Sequence, residues 1–417
     1  MMASVGVIVA VAGRDEGELA AAIDAHPRLA VVRRCADLAE AVAAARAGVA
    51  GAVVISDQAR LDRTVVASLN ETGLAVVGVP STPEAGEQLA ALGVGTVALA
   101  TAGPDTIVAE VLRSMARHAT QAPVMPSPAV AASEREGEII AVWGPAGAPG
   151  RTTIATNVAA EHARSGARTL LVDADVYGGA VAQAIGLTDE TAGIAGVVRE
   201  AQHGSVDAAI VHRYSVEAEQ GLWVLTGITR SDRWPELAPA AVQEVLRAAS
   251  RAFDAVIVDV GFCLEDDAVF GFDSAAPARN GATLAVLRHA GTVIAVGSAE
   301  PLGIQRLIHG IGQVREAVEG EPVVVINRVR AEVAGPRPAE AVADLLARFA
   351  AVERVHVVPW DPAGCDAAVR SGQVLAECAP RSRARKAIAA LAKATLSAPG
   401  ASTPPRRPRA VAARVRD

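Results

Sequence analysis

A chain of 417 residues is longer than one hydrophobic core of ordinary size organises, so two folded domains joined by a linker are expected. Apolar residues make up 51% of it and charged residues 20%, a globular composition, and no stretch approaches the ~18 apolar residues needed to cross a bilayer. A net charge of −7 argues against general affinity for nucleic acid, and the scattered Cys35, Cys263, Cys365 and Cys378 lack the spacing of a zinc site or disulfide framework. They read as buried free thiols in a reducing cytoplasm.

The N-terminal run VGVIVAVAG has no basic residue before it and acidic residues just after it, so it reads as a strand and not as a signal-peptide core. From there to residue 118 apolar runs (LAVVRRC, GAVVIS, LAVVGVP, TVALA) alternate with helical stretches such as 15–26, 37–47 and 104–118. Continuous apolar strands between helices indicate a parallel sheet covered on both faces, here a small doubly wound, flavodoxin-like domain over 1–118. Its order and length resemble a response-regulator receiver domain, with Asp57 after the third strand and Ser81 and Thr82 after the fourth. The fifth strand, TVALAT, ends at Thr101 without the expected lysine, and Gly13 and Arg14 displace the acidic pair Asp15 and Glu16. Without an acidic magnesium cluster and that lysine a phosphorylated aspartate loses most of its electrostatic support, so a degenerate, receiver-like interaction domain is expected.

Residues 119–136 combine proline, serine and small residues without periodicity and read as a flexible linker. The second domain then spans 137–397, and a Pro/Arg-rich tail, 398–417, reads as disordered. The segment EIIAVWGPAGAPGRTTIATNVAAEHARSG is a strand, a loop of small residues and a helix beginning near Thr152. That is the context of a phosphate-binding P-loop, in which backbone amides and the positive end of the helix dipole face the phosphates. Gly147 and Gly150 suit the tight path and Thr152 offers a hydroxyl to Mg²⁺, followed by Thr153. The strict GxxxxGK[ST] pattern fails, because Pro145 holds the first glycine position and Arg151 the lysine position. An ordinary Gly/Pro-rich βα turn would look similar. Two further strands sharpen the choice: RTLLVDAD ends in Asp173 and Asp175, and FDAVIVDVGF ends in Asp259 like a Walker B strand. Each aspartate alone would pass for a loop or cap residue, but all three at strand ends after such a loop point to a nucleotide site.

Together GPAGAPGRTT, LLVDADVYGG, DAVIVDVG, VVVINRVR and VPWDPAGCDAAVRSGQVL resemble the ParA/MinD ATPases. The receiver-like domain placed first, VLTGITRSDRWPEL before the Walker B strand and AVLRHAGTVIAVGSAEPLGIQRL after it resemble their CpaE/TadZ-like branch in particular. The likeness extends over nearly the whole chain apart from the tail. It implies ATP and Mg²⁺ as cofactors and a P-loop cradle of Gly147, Ala148, Pro149, Gly150, Arg151, Thr152 and Thr153. It places Arg151 on the P-loop lysine, Thr152 on the magnesium-ligating hydroxyl, Asp175 on the aspartate that positions water, Asp173 as its assistant, and Asp259 on the metal shell through water. Asn327 falls where the family contacts adenine, an amide suited to a base edge, although a strand-end asparagine can equally satisfy local backbone. Pro359 and Asp361 open the loop that borders the base.

The departures matter as much. The family's signature lysine near the start of the loop reaches across a nucleotide-sandwiched dimer, and here that position is Ala146. The only lysines are Lys386 and Lys393. Arg151 keeps a charge at the P-loop position, but a planar guanidinium fork does not replace a compact ammonium, and losing one well-placed donor slows phosphoryl transfer by about 10²–10³-fold. Gly261 also stands where the family usually has proline after the Walker B aspartate. The resemblance therefore implies a cytoplasmic, weakly hydrolysing ATP switch. It would form a homodimer on ATP binding and position a membrane-associated machine, such as a Flp/Tad pilus or secretion assembly, at the inner face of the plasma membrane or a cell pole. The alternatives are a non-hydrolysing scaffold with a degenerate site and a septum-site or chromosome-partitioning ATPase. The acidic net charge argues against DNA, and a tail with Arg406, Arg407, Arg409, Arg414 and Arg416 but no bulky apolar face makes direct membrane contact weak.

Overall fold

The computed structural model describes residues 4–13, 16–120, 136–147, 150–187, 192–266 and 278–395. Arg14, Asp15, Ala148, Pro149, most of the expected linker and the tail lie outside the described residues.

The N-terminal sheet consists of β1 (Val5–Ala10), β2 (Leu29–Arg34), β3 (Ala52–Ser56), β4 (Ala75–Val79) and β5 (Thr96–Val97), all parallel and in the order β2-β1-β3-β4-β5. This is the flavodoxin-like order read from the alternating runs. β3 and β4 are buried along their whole length, because helices cover both faces. Asp37, Asp62 and Thr82 each cap a helix by accepting from the amide three residues on, which fixes where those helices start. One expected strand is shorter than its sequence suggests. TVALA pairs as β5 only at Thr96 and Val97, and Ala100–Ala102 then turn as a 3₁₀ helix. Val97 is followed by Ala98, Leu99 and Ala100, none of them β-branched, and Gly103 at φ 85° with Pro104 behind it starts the next helix, so little favours extending the strand.

The second sheet contains β6 (Glu138–Trp143), β7 (Thr169–Ala174), β8 (Val216–Glu219), β9 (Leu222–Leu225), β10 (Ala255–Val260), β11 (Thr292–Ser298), β12 (Val323–Val329) and β13 (Val355–Pro359). Its order is β13-β12-β11-β6-β10-β7-β9-β8, parallel except for the β8–β9 edge hairpin. Alternate residues of β6 feed two cores. Ala141 and Trp143 pack among helices Gly193–His203, Pro239–Ala252 and Pro301–Ala317, whereas Ile140 and Val142 pack on helices Arg151–Arg164 and Arg383–Thr395. β10 inserts between β6 and β7 with Asp259 in register with Asp173, so the loop after β6 and all three aspartates meet at one carboxyl edge of the sheet, the side on which such folds bind ligands.

A buried arginine sits where the two domains meet, beside a bond from Gln88 Nε2 to the His203 carbonyl (3.4 Å). Arg63 donates from Nε to the Ala201 carbonyl (2.8 Å) and from Nη2 to those of Gly204 (2.9 Å) and Ala91 (2.6 Å), and it faces Glu244 at 3.6 Å. It thereby satisfies carbonyls at the C-terminal end of helix Gly193–His203, where a cation also complements the helix dipole.

Candidate functional site

The phosphate loop leaves β6 at Trp143, whose buried indole donates to the Phe262 carbonyl (3.1 Å) on the neighbouring loop after β10. Gly147 (φ 68°) and Gly150 (φ 101°) take left-handed backbone angles that a side chain would strain. At Gly150 a Cβ would also run into the Asn327 amide, so two independent constraints demand glycine there. The helix begins at Arg151, one residue ahead of the expected start, and its Gly150 cap supplies no side chain to its first-turn amides. Those amides are what a phosphate would use.

Two polar pairs cross this turn. Thr152 donates from Oγ1 to Asp259 Oδ2 at 2.6 Å, joining the helix start to β10. Arg151 bonds Asp175 Oδ2 at 2.8 Å and the Gly144 carbonyl at 3.1 Å, with only 15% of the arginine side chain and 8% of the aspartate's exposed. Asp259 Oδ1 and Arg151 Nε are buried with no hydrogen-bond partner. Such orphaned polar atoms are rare in a closed core and are what a bound ligand would satisfy. Burial, and next the charge of Asp173, push the Asp259 carboxyl up, while the Thr152 hydroxyl partly offsets this.

Asp173 and Asp175 point to different tasks. Asp173, the last but one residue of β7, is buried and accepts from the Asp175 amide (3.2 Å) and the Val181 amide (3.0 Å), and a Cβ at Gly179 or Gly227 would strike its carboxylate. Burial raises its carboxyl and these amides counteract the rise. Asp173 therefore ties down the loop that carries Asp175, whereas Asp175 faces Arg151.

On the β12–β13 side, Asn327 lies against Gly150 and accepts from its neighbour's amide, Arg328 N, at 2.9 Å. Pro359 ends β13, and Asp361 caps helix Pro362–Ser371 by accepting from Gly364 N (3.1 Å) and from Ser382 Oγ (2.6 Å). Trp360, which stands inside the motif between those two residues, was not singled out from the sequence. It is exposed, and the guanidiniums of Arg328 and Arg330 each lie 5.3 Å from its ring centre. Tyr177 was also missed; its hydroxyl donates to Asn280 Oδ1 (2.6 Å) and its ring packs on Phe262 at 4.6 Å. In the N-terminal domain both Asp57 oxygens are occupied by Ser81, through its amide (2.9 Å) and hydroxyl (2.6 Å), and Thr82 caps a helix.

Residues 140–374, more than half of the chain, match the CobQ/CobB/MinD/ParA nucleotide binding domain family, also called CbiA. The chain belongs to this family. A ParA family ATPase from Chlorobium tepidum has a similar fold at 16% identity and a TM-score of 0.50, over 61% of this chain and 98% of that one. The cell division ATPase MinD of Pyrococcus furiosus aligns at 20% identity over 62% and 97% of the two chains with a TM-score of 0.47. The septum site-determining protein MinD of Pyrococcus horikoshii, complexed with Mg-ADP, aligns at 18% over 63% and 96% with a TM-score of 0.48. No curated protein matches the sequence.

Within this CobQ/CobB/MinD/ParA domain, the carboxyl edge suits a magnesium-bound nucleotide. Among the described residues no group of three or more His, Cys, Asp and Glu side chains could hold a metal by itself. Magnesium commonly takes one or two protein oxygens and completes its shell with phosphate and water, and the Thr152–Asp259 pair with its orphaned Oδ1 offers that set. Gly261 also has a local reason. A Cβ there would sit 3.2 Å from the Tyr177 ring and 3.3 Å from Asp175 Oδ1, so the position is already crowded by the aromatic pair.

Proposed function

We propose that the chain is an ATP-binding switch which pairs with a second copy when Mg-ATP is bound and positions a membrane-associated machine such as a Flp/Tad pilus or secretion assembly. The observation that carries the nucleotide reading is the Thr152–Asp259 pair at the uncapped start of helix Arg151–Arg164, with the orphaned Asp259 Oδ1 beside it. Gly147, Ala148, Pro149, Gly150 and Thr153 line the phosphates, Thr152 and Asp259 hold the metal shell, and Asn327, Pro359 and Asp361 border the base. Asp175 orients water, Asp173 holds the Asp175 loop in place, and Arg151 meets the outer phosphates. Bound magnesium supplies charge neutralisation at the β- and γ-phosphates. Because Arg151 and Asp175 neutralise each other, both must change partner before they act, which supports slow hydrolysis.

The receiver-like domain ahead of the ATPase domain supports the CpaE/TadZ branch. The same Arg151–Asp175 pair favours a second reading, a scaffold that binds nucleotide without turning it over. A septum-site or partitioning ATPase is compatible with the family as well. Light scattering of the full chain with and without Mg-ATP, alongside calorimetry and phosphate release, tests the switch. A nucleotide-dependent doubling of mass is expected, and a protein whose mass is the same in both conditions refutes it. Turnover equal to that of Thr152→Ala would favour the scaffold.

A further inference from the structure

We infer that Arg306 is a second phosphate-contacting cation of this site, reserved for the terminal phosphate of a nucleoside triphosphate. The inference rests on the nucleotide reading above. Arg306 lies in the second turn of helix Pro301–Ala317, which follows β11, the strand beside β6, so the fold itself brings that turn next to the phosphate loop. Its Nη1 donates to the Ala146 carbonyl at 3.0 Å. The approach is possible because Gly147 has no side chain, since a Cβ there would collide with the same guanidinium nitrogen.

The charge situation separates this arginine from Arg151. Arg151 is half-buried and paired with Asp175 at 2.8 Å. Arg306 is exposed, and among the described residues no carboxylate lies within ion-pair distance of it. A guanidinium carries five donors in a rigid fork, and a single carbonyl leaves most of that fork free for an anion. Ala146 and Gly147 contribute no charge of their own, so Arg306 is the cation at the mouth of the loop. The mouth is the end of the loop remote from the helix start, whose first-turn amides serve the inner phosphates, and Arg151 is already engaged by Asp175. A cation there is placed for the outermost one, and charge-assisted bonds to phosphate are the strong kind.

The test is calorimetry of Mg-ATP and Mg-ADP on the full chain and on Arg306→Gln, Arg306→Lys and Thr152→Ala. Glutamine keeps an N–H donor but removes the charge. Arg306→Gln is expected to bind Mg-ATP about ten-fold or more weakly, while Mg-ADP changes by less than about two-fold, and Arg306→Lys recovers part of the loss. Equal affinities of Arg306→Gln and the unaltered chain for both nucleotides overturn the inference and leave the nucleotide reading intact. Parallel loss of ATP and ADP affinity, with a lowered melting temperature, also overturns it, because that is the signature of a mere loop brace. If the unaltered chain binds neither nucleotide, and Thr152→Ala behaves the same, the nucleotide reading falls and the inference with it.

Discussion

Replacing Asp175 by asparagine separates the two jobs of the phosphate site. In the structure Arg151 spends its charge on Asp175 at 2.8 Å, and only 15% and 8% of the two side chains are exposed, so solvent screens the pair little. An incoming phosphate must take Arg151 away from this carboxylate. A hydrogen bond to a charged acceptor contributes about 1.5–3 kcal/mol and a neutral one about 0.5–1.5 kcal/mol, so neutralising Asp175 lowers the cost of that exchange by about 1–1.5 kcal/mol. Asp175→Asn should therefore bind Mg-ATP about 5–10-fold more tightly. Its phosphate release should fall at the same time, since the group proposed to orient water has lost its charge. Calorimetry with a non-hydrolysable ATP analogue reads the first effect and a phosphate-release assay the second. Unchanged or weaker nucleotide binding by Asp175→Asn would show that the ion pair does not restrain Arg151, and the argument for slow turnover would go with it.

Thr152→Ala strips Asp259 Oδ2 of its 2.6 Å donor beside an already orphaned Oδ1, so a stability loss of about 1–3 kcal/mol in denaturant melts is expected, together with loss of the magnesium dependence of ATP binding. Gly150→Ala forces a side chain into φ 101° and onto Asn327, and it should abolish nucleotide binding while lowering the melting temperature; wild-type binding by this variant would mean the loop is not formed as described. His162 is fully buried with Nδ1 unpartnered, and burial holds its pKa below the ordinary value of 6.5. Below that value the unfolded chain takes up a proton the folded one resists, so its stability contribution is present above pH 6.5 and is lost as the pH falls, by up to about 1.4 kcal/mol per pH unit. Melting temperatures at neutral pH and near pH 5.5 should differ less in His162→Gln than in the unaltered chain, and an identical drop would discount the residue. Arg63→Ala leaves the carbonyls of Ala91, Ala201 and Gly204 without their donor, at about 2–5 kcal/mol, visible as a lower melting temperature and faster proteolysis between the domains.

Local patterns carried most of the fold into the sequence. Apolar runs such as AVVIS and AVIVDV announce strands buried on both faces, and the glycines around Arg151 announce a strand-to-helix turn, because the determinants lie within a few residues of each other. β5 was overestimated for the same reason: TVALA is apolar throughout, and only the Gly103–Pro104 junction shows where extension ends. The site was legible as a set of residue types and less so as a set of partners. Asp173 and Asp175 look alike in LLVDAD, but one still belongs to β7 and is captured by the Val181 amide, while the other lies beyond the strand and meets Arg151. No spacing rule announces Arg306 on the Ala146 carbonyl or Arg63 on helix Gly193–His203, because sheet order and domain docking create both contacts over long sequence separations.

The Arg63 joint has a mechanical consequence. Its acceptors come from both domains, and its charged neighbour Glu244 sits on helix Pro239–Ala252, which packs beside helix Gly281–His289, the helix that follows the Tyr177–Asn280 contact next to Asp175. Parting the domains would take the Arg63 guanidinium from two carbonyls, those of Ala201 and Gly204, so the N-terminal sheet is tied to the helices that pack behind the phosphate site. A partner bound to the N-terminal sheet would therefore pull first on helices Gly193–His203 and Pro239–Ala252.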